Sequence, residues 1–198
     1  MLVDYKDKKA NERYQLMAQT IIPRPIAWIV TQDAKGTLNI APFSYFMGLS
    51  SEPPTMVVSI GHKSDGTPKD TLKNIRKSKK CTICMVDPSQ LEAMHFSSKE
   101  LDASISESEL FGIATEHKVE GFPPIITQTP TAFFCKLLQE IDLKGSKTIP
   151  LVVEIEAQYI DEAILVDKEK MQLAYEPLVR IGKSYALLGK KLEAPAIP

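Results

Sequence analysis

Two hydroxyl-rich stretches separated by one apolar strand hold the side chains best suited to grip a planar, phosphorylated ligand. The first, Asn39-Ile-Ala-Pro-Phe-Ser-Tyr-Phe-Met-Gly-Leu-Ser-Ser-Glu-Pro-Pro54, contributes Ser44, Ser50 and Ser51. The second, Gly61-His-Lys-Ser-Asp-Gly-Thr-Pro-Lys-Asp-Thr71, contributes Gly61, Lys69, Asp70 and Thr71. Backbone N–H groups at a helix start, one hydroxyl and one ammonium are sufficient for a phosphomonoester. The competing reading is that Asp70 or Thr71 merely caps that helix. Phe43, Tyr45 and Phe46, with Trp28 on the neighbouring strand, could stack on a ring. In an extended strand Phe43 and Tyr45 share one face and Ser44 and Phe46 the other, so one pair packs in the core and the second can meet a ligand.

Other chemistries find little support. The Walker and Gly-x-Gly-x-x-Gly phosphate loops are absent, as is a Gly-x-Ser-x-Gly elbow. His62, His95 and His117 have no partner at ligand spacing, which argues against zinc. Ser97 and Lys99 stand two apart rather than three. Cys81 and Cys84 have redox-motif spacing, yet Cys81-Thr-Ile-Cys-Met-Val86 reads as a strand, in which an odd offset sends the two sulfurs to opposite faces. With no catalytic apparatus of its own, the chain looks like one that binds a cofactor and lets the cofactor react.

The elements that must position these groups are mostly strands. A short helix over residues 11–19 precedes Pro23 and Pro25, and a hairpin joins Ile26–Thr31 to Thr37–Phe46 through the Asp33-Ala-Lys-Gly36 turn. A small-residue corner at Gly48 to Ser51 and the double proline lead into the strand Thr55–Ile60. The helix starting near Pro68 and running to Lys77 comes next, then the strand Cys81–Val86. The serine-rich run 97–109 is interrupted by apolar anchors and reads as an ordered excursion over the barrel. Alternation returns in Ala132–Leu138 and Ile149–Ile160, and a last strand or loop bends at Gly182. Six or seven strands with few helices predict a mostly β chain closing into an antiparallel barrel, one domain over residues 1–198.

Composition limits the partners. A net charge of -1 over 198 residues argues against a nucleic-acid surface, and the basic run from Lys73 to Lys80 reads as a solvated helix face. No apolar run reaches the roughly 20 residues of a membrane-spanning helix, and the charged start has no signal-peptide pattern. Three cysteines, an odd number, suit a reducing compartment. Together these predict a cytoplasmic protein without membrane or nucleic-acid partners.

Taken together, Pro23-Arg-Pro-Ile-Ala-Trp28, Asn39–Phe46, Ser50-Ser-Glu-Pro-Pro54 and Asp65–Ile75 resemble the flavin reductase-like family with its FMN-binding split barrel. Glu107–Ile113, Pro123-Pro124, Thr129-Pro130, Cys135-Lys-Leu137 and Pro177–Gly182 agree in order. The resemblance implies a Greek-key-like split barrel and a homodimer that binds FMN. It places Ser44, Tyr45 and Phe46 along the isoalloxazine, and Ser50, Ser51, Gly61, Lys69, Asp70 and Thr71 around the phosphate. Thr31, His62 and Lys63 are further candidates. The implied activity is hydride transfer from NAD(P)H to FMN. The alternatives are an FMN electron carrier fed by a redox partner protein, or a non-catalytic FMN-binding module. Met47 and Lys183 depart from the residues many relatives carry there, asparagine and glycine.

Overall fold

In the computed structural model, which describes residues 1–195 and 197, seven antiparallel strands form one curled sheet. They are β1 (Ala27–Gln32), β2 (Leu38–Phe43), β3 (Phe46–Ser51), β4 (Pro54–Gly61), β5 (Lys80–Cys84), β6 (Thr131–Glu140) and β7 (Thr148–Ile160). The spatial order is β2-β1-β5-β6-β7-β4-β3. The two edge strands, β2 and β3, are therefore consecutive in sequence, separated only by Ser44 and Tyr45. Strand twist rolls the sheet until its ends face each other, and the seam between them is the split of a split barrel.

The expected single extended segment from Asn39 to Phe46 is broken at this seam. Ser44 and Tyr45 leave the ladder, and the chain crosses from one end of the sheet to the other. The small-residue corner expected at Gly48 to Ser51 is the edge strand β3. The reversal lies at Glu52 and Pro53, with Ser51 paired to Pro54 across it. Pro54 is the first residue of β4, a position where its missing N–H costs little.

Both faces of β1 are buried, which explains its uninterrupted apolar run. Ala27 and Ile29 join Phe46, Met56, Val58, Ile60, Ile83, Leu151 and Val153 in one cluster. That cluster unites strands from the two ends of the sheet, so it fills the concave interior. Helix α2 (Asp70–Ser78) adds Leu72 and Ile75 to it, three residues apart on one face. Trp28 and Val30 point the other way, into a cluster with Met94, Phe122, Ile126 and Phe134. Trp28 is fully buried and donates to Ser97 Oγ at 3.0 Å, so it is a core residue rather than a ligand platform.

Helix α1 (Ala10–Thr20) precedes the sheet, and α3 (Leu91–Phe96) and α4 (Glu107–Leu110) lie in the excursion after β5. A terminal hairpin, β8 (Val179–Ile181) and β9 (Ser184–Ala186), pairs with the short segment Arg24–Pro25. Its turn places Gly182 at φ +48°, a conformation that strains residues with a Cβ. Among the described residues, no helix is long and apolar enough to cross a membrane.

Candidate functional site

The crossover at Ser44 and Tyr45 opens a cavity of about 370 Å³ at the seam. Because the chain bends there, the strand alternation fails, and Phe43, Ser44 and Tyr45 all line the cavity. Phe46 does not. It is 9% exposed and packs in the interior, where the anchoring of β3 requires an apolar side chain. Gly61 and Ser59 of β4 complete one wall; Met94 and His95 of α3, with Arg180 and Tyr185 of the terminal hairpin, form the other. The lining contains no carboxylate.

Tyr45 is the most unusual group on this surface. Its ring rests 5.8 Å from that of Tyr14, with the Arg24 guanidinium 5.8 Å from its centroid. Its hydroxyl is buried and has no hydrogen-bond partner among the described residues. Burial raises its pKa further above 10.0, with the nearby Tyr14 adding to the shift, so the phenol keeps its proton. Ser44 Oγ receives a long contact, 3.5 Å, from Arg24 Nε, which leaves its own proton available to an acceptor.

The second group of predicted residues lies in a narrow cleft that shares Ser98 with the cavity. Lys69, Asp70 and Thr71 line it together with Lys63, Asn39 and Glu100. Four of its charged side chains, Lys63, Lys69, Asp70 and Glu100, are held in ion pairs, whereas Lys99 is in none among the described residues. Lys63 Nζ stands 2.5 Å from Asp70, Lys73 Nζ 3.2 Å from the same carboxylate, and Lys69 Nζ 3.6 Å from Glu100. Glu100 also accepts from the Ser64 hydroxyl and N–H. These two bonds, with Lys69, hold its carboxyl below the usual range. Neither Asp70 nor Thr71 caps α2. Lys69 is the N-cap residue and makes no side-chain cap bond. Thr71 instead accepts from Asn39 Nδ2 at 2.9 Å, while Asn39 and Asn74 both donate to the buried Thr31 hydroxyl.

The floor of the cleft is sealed by Glu107, which accepts from the Ile40 N–H of edge strand β2 at 2.9 Å. A carboxylate on α4 thus covers a donor that an edge strand would otherwise expose. Burial, the dominant cause, and nearby Asp70 raise the Glu107 pKa.

Ser50 and Ser51 line neither cavity. They lie on the outer edge of β3, where Ser50 Oγ bonds only to the backbone of Glu52. His62 contacts the Lys147 carbonyl through Nδ1 at 2.6 Å. Conversely, Arg24, His95, Arg180 and Tyr185 were not singled out as site residues in the sequence. Arg24 and Arg180 do fall inside the family-like motifs, and that position is the only signal the sequence carries for them.

An antiparallel sheet that rolls up but leaves a seam, with a ligand-sized cavity at the split, defines a split-barrel protein of the flavin reductase class. The chain belongs to the flavin reductase-like family, whose domain matches residues 17–185. It is 32% identical to an uncharacterized protein of Aquifex aeolicus over 183 residues, covering 91% of each chain. Two solved structures share the fold closely. The 2-nitrobenzoate 2-nitroreductase of Pseudomonas fluorescens is 28% identical with a TM-score of 0.88, covering 100% of this chain and 96% of that one. Nitrilotriacetate monooxygenase component B from Bacillus cereus is 26% identical with a TM-score of 0.87, covering 98% of both chains.

Proposed function

We propose that the protein is an FMN-binding oxidoreductase of the NAD(P)H-dependent flavin reductase type, built as a single domain and working in the cytoplasm. The observation that carries this reading is the cavity at the seam, with flat aromatic walls, no acid, and a buried Tyr45 hydroxyl that lacks a partner. These residues fit an isoalloxazine. Phe43 and Tyr45 offer apolar faces, the Ser44 and Tyr45 hydroxyls can each donate to a ring oxygen or nitrogen, and no carboxylate repels an electron-rich ring. The cleft fits the phosphate, with Lys63, Lys69 and the N-terminus of α2 as its holders and Glu100 as the anion to be displaced from Lys69.

Bound FMN would supply the redox chemistry, accepting hydride from a reduced nicotinamide and passing electrons to an acceptor. The chain's own part is to bind and orient. Ser44, steadied by Arg24, and Tyr45 fix the polar edge of the ring. The aromatic walls exclude water from its face. The lysines fix the tail, so that position is set at both ends.

The reading includes a homodimer. Edge strand β3 presents Met47 and Leu49, 62% and 56% exposed, on an unpaired ladder edge that a second copy would cover. Ser50 and Ser51 lie on this strand, so any role for them in FMN binding requires that second copy.

The visible absorption spectrum of the purified protein, before and after anaerobic NADH or NADPH, tests the proposal. Flavin bands near about 370 and 450 nm that bleach with nicotinamide are the expected result. Bands that persist until a partner protein or dithionite is added would replace the reductase with an electron carrier. A colourless protein that takes up no FMN would overturn both.

A further inference from the structure

Arg24 and Arg180 stand directly opposite each other in the antiparallel pairing of Arg24–Pro25 with β8. Directly opposed residues of an antiparallel pair point to the same face, and like charges so placed repel. Neither guanidinium lies in a salt bridge among the described residues, whereas Arg76 is held by Glu140 at 2.8 Å. Arg24 is only 4% exposed, and its hydrogen bonds go to neutral oxygens: the carbonyls of Ala18, Ile21 and Gly182, and Ser44 Oγ. Arg180 donates from Nη1 to the Tyr185 hydroxyl at 2.6 Å and from Nε to the Gly182 carbonyl at 3.3 Å, and its Nη2 bonds to nothing among the described residues.

Two opposed, uncompensated cations are a local cost that folding alone does not explain, and such violations gather where a ligand is met. Here they border the acid-free seam cavity, which Arg180 lines directly and Arg24 reaches through Ser44. The Arg180 side chain is also held in place. Its guanidinium lies 4.6 Å from the Tyr185 ring centroid, Tyr185 is its cross-strand neighbour, and His95 Nδ1 meets the same hydroxyl at 2.8 Å. A planar fork fixed on an aromatic wall suits a carboxylate, which it can engage through two parallel N–H bonds.

We propose that the Arg180 end of the seam cavity is a subsite for the carboxylate of a small organic reactant. This deepens the flavin reading and rests on it for the reactant's role, that of the molecule reduced beside the cofactor. The anion subsite can be tested separately. Benzoate and benzamide, matched in shape and differing in charge, are titrated calorimetrically into the protein at low salt, with and without FMN.

With FMN bound, benzoate should bind at least about tenfold more tightly than benzamide, and added salt should erode the advantage. Arg180→Met, titrated at saturating FMN, should reduce the preference to within about threefold, with circular dichroism verifying the fold. If that variant does not fold, the wild-type preference and its salt dependence still decide. Equal binding of the two probes would overturn the proposal. So would a benzoate preference that vanishes when FMN binds, because the arginines would then serve the cofactor itself. A protein that takes up no FMN yet prefers benzoate would retain the subsite and discard the flavin reading.

Discussion

The seam cavity and the narrow cleft meet at Ser98, yet their charges are organised in opposite ways. In the cleft Lys63 is paired with Asp70, which Lys73 also reaches, and Lys69 with Glu100, while Lys99 is in no ion pair among the described residues. In the cavity Arg180 and the nearby Arg24 have none, and their hydrogen bonds go to carbonyls and hydroxyls. An anion that takes Lys63 or Lys69 must therefore compete with a resident carboxylate. One entering the cavity meets positive charge that is already desolvated on the Arg24 side. The difference is one of availability rather than of total charge. Partly exposed ion pairs are worth little and exchange readily, whereas a buried cation without a counter-ion retains its full demand for one.

The largest expected effect falls on the cavity side. Arg24→Met takes a donor from three carbonyls. Ala18 O keeps the Gly182 N–H and Gly182 O keeps Arg180 Nε, while Ile21 O loses its side-chain donor. Urea unfolding should show a loss of about 2–3 kcal/mol. A loss within about 0.5 kcal/mol would mean that water satisfies these carbonyls and that the buried cation is no hub.

The next effect divides the floor of the cleft by charge and by hydrogen bond. Glu107→Ala leaves the Ile40 N–H buried and unpaired and should cost about 2 kcal/mol. Glu107→Gln keeps an acceptor and removes the charge. Because burial raises the Glu107 pKa above its ordinary 4.5, the protonated form is favoured in the folded state. The wild type therefore has this contribution in full below that value and loses it as pH rises through the folded pKa. Thermal melts from pH 4 to 8, a range of about four units around the glutamate value, should show Gln gaining on the wild type as pH rises. A constant gap would remove the burial argument.

Smaller effects come from the paired side of the comparison. Lys69→Ala should weaken FMN by only about threefold to tenfold, because its partner Glu100 relaxes when the lysine is gone. Glu100→Gln should act in the opposite direction, tightening FMN a few-fold while leaving riboflavin, which lacks the phosphate, unchanged. Equal changes for the two flavins, read by fluorescence titration, would take the phosphate out of the cleft.

Much of the fold was legible because it is written in short range. The turn at Asp33 to Gly36, the Leu72 and Ile75 pair of α2, and the alternation in β6 and β7 all depend on neighbours a few residues away. The bend at Ser44 and Tyr45 was not, because nothing local distinguishes a strand that continues from one that leaves its sheet to become the opposite edge. The resemblance places Phe46 beside the ring and Ser50 and Ser51 at the phosphate; in this chain the bend buries Phe46 in the interior and leaves the two serines on the outer edge strand. The cysteines show the same limit. The opposite facing of Cys81 and Cys84 follows from strand period, and the two lie in different core clusters. That Cys81 stands opposite Cys135 on β6 follows only from strand register.

The sequence by itself determined the class of this protein: mostly β, carrying the motif order of the flavin reductase-like family. Hydrophobic period, turn residues and motif order are local or linear properties, and a chain displays them before it folds. The tertiary structure decided which residues share a cavity. It set Arg24 against Arg180, Tyr185 beside His95, and Glu100 on Lys69, pairs that span from 31 to 156 positions in the chain. Such pairs are fixed by sheet register and by the curl that brings β2 to β3, and no local preference specifies either.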